Sequence, residues 1–355
     1  MKERYIMKQP TTHLYVNMPE NTPNFPTVEE ALASIPYDPA QKEYPAPHLD
    51  LAPVIIHIGK GIYREKLTIT RPNLTLSGEG ESREDVVLVY GDGAADLMPE
   101  GDKRGTFRTA SVRIDTHDFT ARHLTFQNDA GYGAEVGQAL ALYVDGDRNY
   151  FEDCVLLGHQ DTLFTAPLPE QEMQPGGFKG PGEAKPRIMG RQCYRNCYIG
   201  GDVDFIFGSA IAYFENCVIF SAMREDKKEA AAAGEHVNCG YITAASTPQR
   251  EAFGYVFRDC RLESDCPPDS VYLGRPWREY AKTVFIHCEM GAHIHPEGWH
   301  DWKKPHGNFY YAEYQSYGPG ANPGARADFS CQLTDAEAEN YTMENILKGW
   351  NPGSL

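Results

Sequence analysis

Short runs rich in Val, Ile, Leu, Phe and Tyr recur along the chain, and most of them end in Gly, Asn or Asp. Such runs predict short β-strands separated by turns. Helical periodicity is limited to a few stretches, among them Val28–Ile35 and Asp335–Leu347. The pattern therefore predicts an all-β protein with short helices near its ends.

One motif repeats within these runs: an aromatic residue, any residue, then Asn, Asp or His, then Cys. It ends at Cys154, Cys197, Cys217, Cys260 and Cys288, with separations of 43, 20, 43 and 28 residues. We interpret 20 residues as one turn of a coil, 43 as two turns, and 28 as one turn with an insertion. A strand-containing unit repeated at about 20 residues is typical of a solenoid.

A solenoid of this kind is a parallel β-helix, in which equivalent residues of successive turns lie one strand spacing apart. The motif cysteines would then stack inside the coil as a ladder of buried thiols. An ordinary β-sandwich with cysteines at chance spacing is the alternative. The nine cysteines include no C-x-x-C pair, so we expect neither a disulfide framework nor a zinc site.

Two stretches interrupt the regular spacing. Residues 167–187 are rich in Pro, Gly and charged side chains, which predicts a long exposed loop. Residues 224–240 predict a second protrusion with a helical turn. No linker separates two folding units, so we expect one domain covering residues 1–355.

Composition and charge exclude some classes of function. The chain of 355 residues has a formal net charge of −17, which argues against nucleic-acid binding. No run approaches the roughly 20 apolar residues of a membrane-spanning helix. The N-terminus carries Lys and Arg without a following apolar segment, so it does not read as a signal peptide. We expect a cytoplasmic monomer; the alternative is a secreted protein whose signal is missing from the sequence.

Several common reaction signatures are absent. The sequence contains no G-x-S-x-G elbow, no H-E-x-x-H, no Walker loop and no G-x-G-x-x-G. His293, His295, His300 and His306 are close in sequence but have no fixed ligand spacing. We therefore expect no metal site and no cofactor.

Polar residues inside apolar β segments are the remaining candidates for chemistry. They are Gln138 in GQALALYV, Gln160 and Asp161 in LLGHQDTLF, Asp204 in GDVDFIFGSA, and Arg275 in VYLGRPWREY. A buried ionised carboxylate is costly unless a partner compensates it, and a guanidinium is a suitable partner. The two aspartates are 43 residues apart, the spacing of the cysteine ladder, so we expect both on the same side of the coil.

These segments resemble those of the pectin methylesterases (pectinesterases), a family of right-handed parallel β-helix enzymes. The resemblance covers nearly the whole chain. Its motifs are TVEEALASIP, GIYREKLTI, GTFRTASVRI, LTFQNDAG, GQALAL, HQDTLF, DFIFG, YITAAST, LGRPW and YAEYQSYGPGA, in family order. It implies hydrolysis of the C6 methyl esters of galacturonan or oligogalacturonides, with release of methanol.

The resemblance also implies roles for individual residues. Asp204 resembles the family's nucleophile, and Asp161 its general acid and then base. Gln138 and Gln160 resemble the amides that stabilise the oxyanion, and Arg275 the partner of the nucleophile. With these roles, Arg275 should depress the pKa of Asp204, and the like charge should raise that of Asp161.

Four aromatic residues are predicted to contact the sugar. Trp277 resembles an aromatic wall for the substrate, and Tyr132, Phe207 and Trp302 are further candidates. Each could instead be ordinary packing, as the Asp204–Arg275 pair could be purely structural. We give no catalytic role to Asp202, which is two residues from Asp204.

Other functions remain open from the sequence. They are a non-catalytic carbohydrate-binding β-helix, an esterase or thioesterase with a drifted substrate, and a pectate lyase or polygalacturonase on a similar coil. The loop 167–187 directly follows QDTLF, beside the expected site. We expect it to cap the cleft and to favour short, imported oligogalacturonides over polymers.

Overall fold

The computed structural model describes residues 10–35, 37 and 51–352. Its strands form three sheets in which neighbouring strands are parallel. From residue 112 to residue 290 the chain visits the three sheets in turn, so each coil contributes one strand to each sheet. This architecture is a parallel β-helix, which confirms the predicted fold class.

Each sheet is a row of short strands that runs from one edge of the sheet to the other. Sheet 1 contains, in this order, Asn24–Phe25, Thr12–Val16, Val54–Ile58, Leu74–Gly78, Phe119–Arg122, Asn149–Glu152, Arg191–Arg195, Ile211–Glu215, Tyr255–Arg258, Lys282–Ile286, Tyr310–Tyr314 and Cys331–Gln332. Sheet 2 contains Glu289–Met290, Arg261–Ser264, Val218–Ser221, Tyr198–Gly201, Val155–Leu157, Thr125–Asn128, Val86–Tyr90 and Gly61–Arg64. Sheet 3 contains Val271–Gly274, Gly240–Ala245, Val203–Gly208, Leu163–Thr165, Leu142–Asp145, Val112–Asp115 and Leu67–Ile69.

Helices are few and short. The α-helices are Val28–Ala33, Gly133–Val136, Lys228–Ala232, Asp335–Ala338 and Met343–Ile346, and the 3₁₀ turns are Thr106–Arg108, Glu225–Lys227 and Pro323–Ala325. The helices predicted near the two ends are present, although the C-terminal one is split into two. None of the helices in the described ranges is long and apolar enough to cross a membrane.

The interior of the coil is filled by side chains that repeat from one turn to the next. Phe151, Tyr194, Phe214, Phe257 and Phe285 occupy one register of sheet 1 and are stacked, with ring centroids 4.4–4.8 Å apart. All five are buried. Because each coil contributes an equivalent ring, the core continues along the axis, which supports the proposal of a single domain.

The cysteine ladder is present on the inner side of the coil. The residue after each of the last four ladder cysteines donates its N–H to the carbonyl of the preceding ladder cysteine, so the five thiols lie on successive coils. All five are free and buried. Leu124 accepts the equivalent hydrogen bond one coil before Cys154, so the ladder position continues there without a cysteine.

Our interpretation of the 43-residue separations as two turns is wrong. Val155 pairs directly with Tyr198, so Cys154 and Cys197 lie on adjacent coils. The additional residues form the insertion 167–187, which contains no strand. The second 43-residue separation is also one coil and includes the protrusion 224–240, which has the expected helical turn, Lys228–Ala232.

The ladder generates a prediction about stability. Cys217→Ala removes a buried sulfur between two neighbouring thiols and leaves a small void, which should lower the free energy of unfolding by about 1 kcal/mol. Cys331→Ala, at an exposed cysteine, is the matched control and should change it much less. Urea unfolding of the two variants measures the difference, and equal stabilities would contradict a packing role for the ladder.

Candidate active site

A cleft of about 380 Å³ opens on the outer side of sheet 3. Its lining includes all five residues predicted to carry chemistry: Gln138, Gln160, Asp161, Asp204 and Arg275. Gln138, then Gln160 with Asp161, and then Asp204 lie on three successive coils, and Arg275 lies on the second coil after that of Asp204. The first and last of these residues are 137 positions apart in the sequence. The stacking of coils therefore assembles the site, as the ladder spacing predicted for the two aspartates.

Asp204 is placed by an irregularity in its strand. Val203 pairs with Tyr241 but Ile206 pairs with Thr243, so the strand carries one extra residue at Asp204. The φ of Asp204 is 50°, in the left-handed region, which Asp tolerates better than most residues. A bulge of this kind redirects a side chain, and here the carboxylate lines the cleft while Phe205 and Ile206 remain in the core.

Arg275 holds this carboxylate at two points. Its Nε donates to Oδ1 of Asp204 at 2.8 Å, and a terminal nitrogen donates to Oδ2 at 2.7 Å. The guanidinium carbon lies 3.8 Å from the ring centroids of both Tyr241 and Trp302. Because two hydrogen bonds and two aromatic rings hold it, the guanidinium has little freedom to move away from the carboxylate.

Asp161 is the second carboxyl of the cleft. It also has a positive φ, of 66°, and its N–H donates to the carbonyl of Val203 on the next coil. Its carboxyl has no hydrogen-bond partner among the described residues. Burial, together with the charge of Asp204, raises the pKa of Asp161 well above its usual range. This side chain is therefore suited to hold a proton at neutral pH.

The expected depression of the pKa of Asp204 is wrong in direction. Burial raises the pKa of Asp204, and the hydrogen bonds and charge of Arg275 only oppose that rise. The two carboxyls are still distinguished, because Asp204 has the guanidinium as a direct partner and Asp161 does not. Asp204 is thus the member of the pair that ionises first.

The two glutamines present amide groups to the same cleft. The backbone carbonyls of Gln138 and Gln160 are used within the coil, accepting from Ala94 and Ala139. Their side-chain amides have no partner among the described residues and are free to donate. Gly133 makes room for one of them, since a Cβ there would lie 2.6 Å from Oε1 of Gln160.

Three of the four predicted sugar contacts line the cleft. Trp277, Phe207 and Trp302 all border it, although Phe207 is almost fully buried. Tyr132 does not border it: its ring packs against His159 at 4.1 Å and lines an adjoining small cavity. Whether these aromatic residues contact a sugar stays a prediction.

Asp202, the acidic residue two positions before Asp204, is not part of the Asp161–Asp204 pair. The carboxylate of Asp202 is buried, lies 3.1 Å from Nδ1 of His159 and accepts from the N–H of Val203. No group of three or more His, Cys, Asp or Glu side chains that could hold a metal ion occurs in residues 10–35, 37 and 51–352.

Several residues that shape the cleft are not among those predicted from the sequence. Tyr241 supports Arg275 from behind, and Phe107 packs against Trp277 with ring centroids 6.4 Å apart. Met173 and Phe178 reach the cleft from the insertion 167–187. Tyr241 and Phe107 lie inside motifs of the family resemblance, whereas nothing in the composition of the insertion indicated Phe178.

This arrangement suits attack on a carbonyl carbon. It combines a carboxylate held by a guanidinium, a carboxyl that retains its proton, and two neutral amide donors around one cavity. Neutral donors can stabilise a developing oxyanion without the cost of burying another charge.

Known proteins with similar sequences point to the same chemistry. A family model described as Pectinesterase matches residues 15–168 and 187–350, and so omits most of the insertion. Pectinesterase A of Dickeya chrysanthemi is 34% identical over 370 residues, which cover 92% of this chain and 88% of that protein. A probable pectinesterase/pectinesterase inhibitor of Arabidopsis thaliana is 33% identical over 352 residues; the match covers 94% of this chain but only 52% of that longer relative.

Solved structures give the same result. A pectin methylesterase from Erwinia chrysanthemi has a TM-score of 0.75 at 30% identity, covering 97% of this chain and 99% of that one. The carrot enzyme has a TM-score of 0.73 at 26% identity, covering 97% and 94%. One structural relative was solved as a pectin methylesterase in complex with a hexasaccharide.

The relatives also correct the expected location. Homologous pectinesterases are secreted or cell-wall enzymes that act on extracellular pectin, so the predicted cytoplasmic location is wrong. The lack of an apolar segment near residue 1 was a poor guide. The matched sequence, the shared β-helix and the assembled cleft agree: the chain belongs to the pectinesterase family of carboxylic ester hydrolases.

Proposed function

We propose that this chain hydrolyses the C6 methyl esters of galacturonan with Asp204 as nucleophile and Asp161 as general acid and base. The observation that carries the proposal is the pairing of Asp204 with Arg275 in the same cleft as a buried carboxyl that has no partner among the described residues. A purely structural ion pair would not need that second carboxyl or the two free amides of Gln138 and Gln160.

The reaction follows from these positions. The carboxylate of Asp204 attacks the ester carbonyl, and the amides of Gln138 and Gln160 donate to the oxyanion of the tetrahedral intermediate. Asp161 gives its proton to the departing methoxy group, which leaves as methanol. The acyl group remains bound to Asp204 as an anhydride. Asp161 then takes a proton from water as that water attacks the anhydride, which releases galacturonate and restores Asp204.

The alternative functions differ in their products. A carbohydrate-binding β-helix releases no methanol, a lyase creates an unsaturated sugar, and a polygalacturonase creates new reducing ends. An esterase with a drifted substrate would release alcohol from other esters faster than methanol from pectin. The family membership favours the pectin methyl ester.

Replacing the nucleophile tests the proposal directly. Asp204→Asn keeps the shape of the side chain but removes the attacking anion, so kcat for methanol release should fall by roughly 10⁴-fold. Asp202→Asn is the matched control, since that carboxylate faces His159 outside the cleft. It should retain most of the activity. Comparable activity of Asp204→Asn and the native enzyme would contradict the proposal.

The raised pKa of Asp161 predicts a pH-dependent gain in stability from Asp161→Asn. A carboxyl with a raised folded-state pKa stabilises the fold fully only below its unfolded-state pKa, about 3.9, and this stability is lost as pH rises through the folded-state pKa. The neutral amide avoids that loss. The variant should therefore have a higher Tm than the native enzyme at pH 7, by a few degrees.

The comparison needs a second pH and a control. The difference in Tm should shrink as the pH falls towards about 4, where roughly half of the unfolded chains also carry the proton on Asp161. Asp259→Asn replaces an exposed carboxylate and should show no such pattern. A variant that is less stable than the native enzyme at pH 7 and pH 4 alike would contradict the raised pKa.

The narrower form of the proposal is a preference for short oligogalacturonides, which depends on how the insertion lies on the cleft. The prediction that the substrates are imported into the cell depended on the cytoplasmic location, so it is rejected together with that location. The monomeric state stays a prediction, and light scattering on the purified protein measures it.

A further inference from the structure

Two tryptophans that border the cleft each have a further cation over the ring. The guanidinium carbon of Arg278 lies 4.7 Å from the ring centroid of Trp277, and Nζ of Lys304 lies 4.6 Å from that of Trp302. Arg278 also lines the cleft itself, together with Asp204. Two positive charges therefore stand at the wall of the cleft in addition to the guanidinium of Arg275.

Neither of these cations forms an ion pair with a carboxylate of the described residues. The guanidinium of Arg278 donates to two backbone carbonyls, those of Trp277 and Gln171, both at 3.2 Å. Nζ of Lys304 has no hydrogen-bond partner within the described ranges. Arg275 differs from both, because its guanidinium is committed to Asp204.

Partial burial makes both cations sensitive to a nearby anion. Burial lowers the pKa of Arg278. Burial also lowers the pKa of Lys304, with a further contribution from the positive charges of Arg278 and Arg275. A partly desolvated cation without a carboxylate partner is costly, so an anionic group of the substrate would be stabilised beside this pair.

The insertion fixes the position of Arg278. The carbonyl of Gln171 accepts one of its hydrogen bonds, and the ring of Phe178 lies 5.9 Å from its guanidinium carbon. The insertion is itself held by Arg187, which donates to four of its backbone carbonyls, at residues 169, 182, 183 and 185. The family model does not match residues 169–186, so this support for Arg278 is a feature of this chain that the model does not describe.

The chemistry of galacturonan limits what such a pair can bind. A methyl-esterified galacturonate carries no charge, and the only anion on the chain is the carboxylate of a sugar that has already lost its ester. The reacting sugar carries the ester that faces Asp204. A free carboxylate that meets Arg278 therefore belongs to another sugar of the same chain.

We propose that Arg278 and Lys304 bind the free carboxylate of a galacturonate next to the reacting sugar, and so select esters with a de-esterified neighbour. The inference rests on the proposed methylesterase function and adds a specificity-determining pair to it. Arg278 provides several N–H donors for the carboxylate, and Lys304 adds a second charge at the same wall.

The test compares two forms of one oligosaccharide. The first is hexagalacturonate with all its carboxyls methyl-esterified, and the second is the same hexamer after mild alkali has removed half of its esters at random. Methanol release gives kcat/KM per ester for each form. For the native enzyme the value for the half-esterified hexamer should exceed that for the fully esterified one by about tenfold, as expected for one charge-assisted contact.

Charge-removing variants make the test specific to this pair. Arg278→Gln should bring the ratio of the two kcat/KM values close to one, mainly through KM for the half-esterified hexamer. Lys304→Gln should lower the ratio by a smaller factor, and it covers the case in which Arg278→Gln does not fold. Lys303→Gln is the matched control, because Lys303 is an exposed cation next to Lys304 in the sequence, and it should keep the native ratio.

The outcomes separate the two proposals. If the native enzyme releases no methanol from either hexamer, the proposed function fails. If it releases methanol from both with equal kcat/KM per ester, or if the folded Arg278→Gln and Lys304→Gln variants keep the native ratio, only the carboxylate site fails. A ratio that falls as far in Lys303→Gln as in Arg278→Gln would show a general attraction of charge, and would also overturn the site.

Discussion

The site depends on one interaction, the two-point hydrogen bonding of Asp204 by Arg275 between the rings of Tyr241 and Trp302. Burying a carboxylate against a hydrophobic core is costly without such a partner. At Asp204 the effect of burial on the pKa is nevertheless larger than that of the guanidinium, so the pKa is raised. The guanidinium limits that rise, and Asp161, which has no such partner, retains its proton more strongly. The surroundings thus make two identical side chains differ in their tendency to ionise, as the proposed roles of nucleophile and acid require.

The β-helix provides this arrangement because its coils stack in register. Positions that are far apart in sequence become neighbours one strand apart, as in the ladder formed by Cys154 and Cys197. The same stacking brings Asp161 beside Asp204. Long loops between strands leave the register intact, so the fold can accept an insertion of about 20 residues beside its own site.

Much of the fold and of the candidate site could be predicted from the sequence, because the same residue types recur at the interval of the repeat. Cysteines at repeating intervals indicated the ladder, and the 43-residue spacing of Asp161 and Asp204 indicated a shared face. The spacing did not reveal that 43 residues form one coil, since an inserted loop and an additional turn lengthen the chain alike. Nor could it reveal the bulge at Asp204, because the apolar residues on both sides of Asp204 fit a regular strand equally well.

The electrostatics were the least predictable part. Arg275 was identified as the partner of Asp204, but the balance between burial and pairing depends on the packing of Tyr241, Trp302 and the surrounding core. The contribution of the insertion was also hidden. Phe178 lies in a Gly-rich stretch that reads as a solvated loop, yet it is buried against Trp277.

The most direct test of this electrostatic control is the pH dependence of kcat/KM for methanol release by a folded Arg275→Gln variant. Removing the guanidinium takes away the largest effect that opposes burial, so the pKa of Asp204 should rise further and less of the proposed nucleophile should be ionised at acid pH. The acid limb of the profile should therefore move to higher pH by about one unit or more. An acid limb at the native position would show that Arg275 does not control the ionisation of Asp204, and would contradict the role assigned to this pair.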